Sequence, residues 1–200
     1  MENNIDRVLQ ILPDGPLKDI SITKLVNIDI DNLAKLVPEY EFKSYFLSLP
    51  GREHYRLLAY ISTLYENTTL IDIGTYKGCS ALALSYNKKN TVFSFDVDGS
   101  TKNISQNPIN TAFVVDDILK EKYKKLIMSS PFILLDTNHN GDFEAQFHSY
   151  LESIGWKGIL LLDDINLNDP MKEYWKQIKQ KKIDMTIFGH WSGTGLVIFS

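Results

Sequence analysis

The stretch Thr69-Leu-Ile-Asp-Ile-Gly-Thr-Tyr-Lys-Gly-Cys-Ser-Ala-Leu-Ala-Leu-Ser85 decides how this chain folds. An apolar run ends at Asp72, Gly74 and Gly78 follow, and an Ala/Leu-rich helical segment begins directly after them. Glycine lets a backbone turn sharply and approach a ligand closely, and a helix start offers free N–H groups to a carboxylate or phosphate. The spacing D-x-G-x-x-x-G departs from the G-x-G-x-x-G of dinucleotide-binding loops, which disfavours a nicotinamide cofactor.

Outward from this loop, short apolar runs alternate with helical spacings. The runs are Leu70–Ile73, Thr91–Phe95, Ala112–Val115, Phe132–Leu135, Gly158–Leu162, Met185–Phe188 and Leu196–Phe199. Continuous apolarity over four to six residues is the mark of strands buried on both faces of a parallel sheet. Between them, Phe143, Phe147, Tyr150, Leu151 and Ile154 form one helical stripe, and Met171, Tyr174, Trp175 and Ile178 another. Leu57, Leu58, Ile61 and Leu64 form a third ahead of the first strand. The alternation predicts an α/β, doubly wound, Rossmann-like sheet of seven strands. The loop from Trp191 to Gly195 is too short for a helical crossover, so the last two strands are expected to form an antiparallel hairpin. Residues 1–50, with Pro13, Pro16, Pro38 and Pro50 and short helical runs such as Asp31–Val37 capped by Asp31, read as a helical cap on the 51–200 body.

Carboxylates close the first three strands in order: Asp72, then Asp96, then Asp116 and Asp117. In an open α/β sheet the ligand lies at the carboxyl ends of the strands. An acid at the second tip can accept from two ribose hydroxyls, and one at the third can meet an adenine amino group. The row suits an adenosine with a short zwitterionic tail better than a pyrophosphate.

Composition narrows the partners. The chain has 200 residues, 44% of them hydrophobic and 23% charged, enough to bury a real core. Its net charge of −4, without a basic block, disfavours nucleic acid. One cysteine, Cys79, excludes an intramolecular disulfide and a cysteine-rich zinc site, and is expected to be a small buried packing residue. The first residues show no signal-peptide pattern and no run approaches a membrane span, so a cytoplasmic location without membrane contact is expected. Oligomeric state, including a homo-oligomer, is left open.

Asp72-Ile-Gly-Thr-Tyr-Lys-Gly-Cys-Ser80 resembles motif I of class I S-adenosylmethionine (SAM) methyltransferases, most closely the catechol O-methyltransferase-like branch, over about residues 50–200. The resemblance implies strand order 3-2-1-4-5-7-6 with the last strand antiparallel. It also implies SAM as methyl donor and S-adenosylhomocysteine (SAH) as product. The implied cofactor residues are Asp72, Gly74, Thr75, Tyr76, Gly78 and Ser80 of the loop, Asp96 for the ribose, and Asp117 with Ile118 for the adenine. His54, in the helix leading into the first strand, is placed by the same fold near the cofactor's methionine end, with Arg52 and Glu53 beside it.

Two more strand ends carry charge. Asp136 closes the fourth strand with His139 three residues on, and Asp163 and Asp164 close the fifth. Three carboxylates at one place repel each other unless a cation lies between them, and oxygen ligands suit Mg2+, with Mn2+ or Ca2+ as alternatives. The pairing of acids is similar to that of metal-dependent macrolide-sugar O-methyltransferases. It implies Asp136, Asp163 and Asp164 as metal ligands and His139 as general base beside Asp136. Asp136-Thr-Asn-His139 departs from that family's Asp-Gly-Asp-His. The implied reaction is metal-assisted O-methylation of a diol on a sugar, glycan or similar small molecule. A catechol-like phenol acceptor, a cephalosporin-hydroxylase-like accessory role and a non-catalytic SAM-binding module are the alternatives. His190 and Trp191 are expected near the acceptor, His148 at the surface, and Tyr40, Phe42, Tyr45 and Phe46 either against substrate or against the body.

Overall fold

The computed structural model describes residues 17, 19–37, 40–49, 51–99 and 108–200. Most of the proline-bearing start of the cap, with Pro13 and Pro16, and also Pro38 and Pro50, lie outside the described residues, as does the side chain of Tyr40. The helices are α1 (Ile22–Val26), α2 (Asp31–Ala34), α3 (Tyr40–Leu47), α4 (Gly51–Thr63), α5 (Cys79–Leu84), α6 (Lys124–Ser129), α7 (Asp142–Ser153) and α8 (Asp169–Gln177). The strands are β1 (Thr69–Ile73), β2 (Thr91–Asp96), β3 (Thr111–Val115), β4 (Phe132–Leu135), β5 (Gly158–Asp163), β6 (Lys181–Asp184) and β7 (Thr194–Phe199).

They form one seven-stranded sheet in the order β3-β2-β1-β4-β5-β7-β6. β1 to β5 pair in parallel, and β7 runs antiparallel to both β5 and β6. The continuous apolar runs are explained by two-sided burial. Leu70, Phe132 and Leu134 join α4, α5 and the cap helices on one face. Ile71, Ile73, Ile133 and Leu135 join α6, α7 and α8 on the other. Alternate residues of one strand thus feed two separate cores. Leu25, Leu33 and Phe46 bury themselves in the first of these, so the described part of the cap packs on the body.

Two expectations are corrected. The sixth strand is Lys181–Asp184, four residues earlier than Met185–Phe188. Asp184 Oδ1 accepts from the Thr186 N–H at 2.9 Å, which ends the strand, and Met185 and Phe188 fill the core from a turn closed by Phe188 N–H to the Met185 carbonyl. Asp31 does not cap its helix; it is the first helical residue of a single turn, after Ile30, and Asp29 Oδ1 accepts its N–H.

Parallel order, with the switch point between β1 and β4, brings the ends of β1, β2, β3, β4 and β5 to one edge. Gly74 there needs its freedom: its φ is +98°, and a Cβ on it would stand 1.5 Å from the Asp136 carbonyl. The close contact lets the loops after β1 and β4 share one rim. Among the described residues no helix is long and apolar enough to cross a membrane.

Candidate active site

A cavity of about 450 Å³ opens on that edge. Gly74 and Tyr76 wall it from the β1 loop, Asp96 from the β2 tip, Asp117 and Ile118 from the β3 tip, and Asp136 and His139 from the β4 tip. These predicted residues therefore come together. Asp96 accepts the Tyr76 N–H at 2.8 Å on Oδ2 and the Asp98 N–H at 2.9 Å on Oδ1, fixing its plane. A carboxylate has about four acceptor positions, so two remain for a ligand. The two acids after β3 divide their work. Asp116 is taken by Lys120, Lys122 and the Tyr123 hydroxyl, which hold its carboxyl far below the usual range. Asp117 spends Oδ1 on the Leu119 N–H at 2.8 Å and has no ion pair among the described residues, so it is the acid left for a ligand.

Asp72, Thr75 and Ser80 do not wall the cavity; they lie buried behind the loop. Thr75 Oγ1 and Ser94 Oγ are 2.6 Å apart, and Ser94 donates on to Asp72 Oδ2. Burial pushes Asp72 up to about 7, against the pull of the Ser94 and Ser80 hydroxyls. Gly78, with φ +77°, starts α5. Cys79 is buried and burial pushes its thiol up to about 12, as a packing residue requires. From the cap, Phe42 meets Tyr76 edge-on at 5.4 Å and Phe46 stacks on Tyr55 at 4.6 Å, while Tyr45 is exposed.

At and behind the cavity wall, three of the four histidines gather around the three predicted carboxylates. His139 Nε2 lies 3.0 Å from Asp136 Oδ1 and 3.3 Å from Asp164 Oδ2. Burial pulls its pKa down, but the Asp136 hydrogen bond and the charges of Asp136, Asp164 and Asp163 outweigh it and push the imidazole up to about 9. Asp136 itself is pushed up to about 6, by burial first and then by Asp163. Asp163 faces the other way, toward His190 and His54. Its burial favours the neutral acid, yet the two histidines win and lower its pKa. His54, from α4, is buried and does not reach the cavity wall; desolvation lowers its pKa. Among the described residues, Tyr76 (φ +43°), His139 (+54°) and Asp164 (+58°) all hold left-handed backbone without being glycine. Such positions cost about 1–3 kcal/mol each and persist where surrounding contacts enforce them.

Two enforcing residues escape a sequence reading. Glu144, on α7 and 1% exposed, accepts the Thr137 hydroxyl at 2.7 Å and the His139 N–H at 3.1 Å. An acid in a first helical turn reads as ordinary dipole matching, so nothing in the pattern flags it. Asn168 caps α8 by accepting the Met171 N–H at 3.0 Å and donates Nδ2 to the His139 carbonyl at 2.8 Å. Asn168→Ala removes a cap and a hydrogen bond, each worth about 1 kcal/mol, so thermal melting is expected to show a drop of roughly 4–8 °C. Asn168→Asp keeps the cap and should lose about half as much; a melting point equal to the parent's would show that the His139 contact carries nothing. His148, expected at the surface, is instead buried, its Nδ1 3.2 Å from the Tyr174 hydroxyl and Nε2 3.0 Å from Gln180 Oε1. It lies under α8 and against Phe199, far from the site in role.

No protein-family model matches the chain, and no curated protein matches it by sequence. Solved structures do. An SAH-bound methyltransferase from Podospora anserina, PaMTH1, superposes with a TM-score of 0.61 at 14% identity, over 100% of this chain and 96% of that one. The O-methyltransferase TomG from Streptomyces achromogenes, in complex with SAM, gives 0.58 at 14%, over 87% and 91%. Aeropyrum pernix fibrillarin with natively bound SAM gives 0.51 at 13%, over 72% and 75%. The chain thus has the fold of SAM-dependent methyltransferases, O-methyltransferases among them.

Proposed function

We propose that this protein is a SAM-dependent O-methyltransferase acting on a hydroxyl of a diol-type small molecule, such as a sugar or glycan, with a divalent cation at the acids that close β4 and β5. The observation that carries the reading is the cavity itself. Acids from the ends of β2 and β3 and the histidine–carboxylate cluster after β4 face one space of nucleoside size. TomG and PaMTH1, similar in fold, lend the reaction class.

SAM would supply an electrophilic methyl group on a sulfonium. Asp96 and Asp117 would hold its ribose and adenine, Ile118 the apolar edge of the base, and Gly74, Tyr76 and the buried Asp72–Ser80 network the loop that carries its tail. The donor set also fits a cation. Asp164 Oδ1 is buried without a hydrogen bond, and such a carboxylate oxygen is costly unless a cation meets it. Asp136, Asp163 and Asp164 would hold it, and it would lower the pKa of a bound hydroxyl. With a cation at the acids offsetting the carboxylate charges that push the imidazole up to about 9, His139 in its neutral form would take the acceptor's proton as its oxygen bonds to the methyl carbon and the sulfur leaves as a thioether. Asp136 and Asp164 steady the imidazolium that results.

A thermal-shift comparison tests the donor site. At about 100 times its Kd, SAH is expected to stabilise the protein by about 2.7 kcal/mol, a shift of roughly 5–10 °C for a chain of this size, with NAD giving none. Asp96→Ala should weaken SAH by about 1.5–3 kcal/mol, the scale of hydrogen bonds to a charged group. A shift with NAD alone would discard the reading.

A further inference from the structure

His54, Asp163 and His190 stand apart from the cavity and form a second donor group. They come from three places: α4, the end of β5, and the loop between β6 and β7. His190 Nε2 lies 3.0 Å from Asp163 Oδ1 and 3.1 Å from Oδ2, and His54 Nδ1 lies 3.6 Å from Oδ1. All three ligand atoms fall within 4.8 Å of one another. Bonds of about 2.1 Å at octahedral or tetrahedral angles place donor atoms about 3.0–3.4 Å apart, and the two spacings to Asp163 Oδ1, 3.0 and 3.6 Å, lie at or near that range.

Two observations independent of spacing point to a ligand. First, His54 Nδ1 is buried with no hydrogen bond, on a side chain only 4% exposed, 3.6 Å from Asp163 Oδ1. The imidazole rings of His54 and His190 lie 4.9 Å apart. Unmet polar atoms at this depth are rare and costly. Secondly, the Ser192 hydroxyl engages Nδ1 of His190. A partner on one ring nitrogen fixes the ring and directs the other outward, as around metal-bound histidine.

We propose that His54, Asp163 and His190 bind a divalent first-row transition ion such as Zn2+, Mn2+ or Fe2+, at a position separate from the oxygen-rich acids. Two imidazoles and one carboxylate suit these ions and leave coordination positions open, whereas Mg2+ prefers oxygen and water. Asp163 is the link, one carboxylate between the two groups. The site does not depend on the methyl-donor reading: it needs neither SAM nor an acceptor.

Co2+ is the probe, since its visible absorption reports nitrogen and oxygen coordination directly. Metal-stripped protein is titrated with Co2+ in the presence of excess Mg2+, and Zn2+ is then used to displace it. One Co2+ per chain that Mg2+ does not displace and Zn2+ does is the expected result. His54→Gln and His190→Gln should each raise the Co2+ Kd more than about tenfold, while Asp136→Asn and Asp164→Asn leave it within about threefold. SAH binding, measured on every variant, separates failure to fold from loss of the site. Loss confined to Asp136→Asn and Asp164→Asn would place the ion at the oxygen-rich acids and overturn the proposal. So would the absence of any Co2+ or Zn2+ binding by protein that still binds SAH. Co2+ binding without SAH binding would uphold this site and remove the methyl-donor reading instead.

Discussion

His139→Ala is expected to lower kcat for methyl transfer by about 10²–10⁴-fold, the usual worth of a positioned general base, with SAH affinity unchanged within about threefold. The expectation rests on how much of the fold is spent on one imidazole. Its backbone sits at φ +54°, held by Glu144 on the N–H and Asn168 on the carbonyl. Its Nε2 faces the cavity rim between Asp136 and Asp164. A residue that merely filled space would not need a strained backbone clamped from two helices. SAH release is the readout, with the acceptor diol that supports turnover; turnover within threefold of the parent would remove the base role. Asp164→Asn gives the companion result. It should abolish dependence on added cation while SAH binding persists, because Asp164 lies with the acids and outside the cavity lining. Cation-dependent turnover in that variant would move the ion elsewhere.

How far the sequence speaks for itself differs between the sheet and the site. Strands β4 and β5 are legible because burial on both faces demands an unbroken apolar run, and β1 and β2 read the same way with one buried polar residue each, Asp72 and Ser94. The sixth strand is an edge, paired only to β7. Of Lys181-Lys-Ile-Asp184 only Ile183 must be buried, so the strand reads as a polar helix end. The apolar run after it, Met185 to Phe188, is buried as a turn, and burial without a second strand partner imitates strand chemistry. The acids of the site are legible for a different reason: parallel order brings strand ends to one edge, so a row of terminal carboxylates must converge. What is brought in from elsewhere is not. His54 and His190 reach Asp163 from α4 and from the β6–β7 loop, and only tertiary structure makes that meeting. Glu144 and Asn168 work through backbone atoms of His139, which carry no residue signature. His148 shows the converse, a histidine on a helix that a period of 3.6 places at the margin of the apolar stripe and that packing against Tyr174 and Phe199 then covers.

Asp72→Asn is expected to flatten part of the pH dependence of folding stability, and the direction follows from its surroundings. Asp72 sits mid-sheet opposite Ser94, fully buried, with Oδ1 unpartnered. Burial raises its folded pKa from 3.8 to about 7. Between those values the folded chain holds a proton that the unfolded chain has released, so stability falls as pH rises from about 4 to about 7 and is level beyond. At 1.36 kcal/mol for each pKa unit, this contribution is on the order of 4 kcal/mol, a large part of a typical domain's stability. Asparagine is neutral throughout and can still accept from Ser94, so the variant carries no such slope. Urea denaturation at pH 4.5 and pH 8 is the measurement, taken as the difference between variant and parent so that the titrations of Asp136 and the histidines cancel. The variant should gain on the parent by a few kcal/mol between the two pH values. An unchanged difference would mean that Asp72 is charged in the folded protein throughout, and that a donor meets Oδ1 after all. Saturating SAH in the same experiment then bears on the site. If SAH requires the Asp72 carboxylate in its charged form, its affinity will rise through pH 7 in the parent and stay level in the variant.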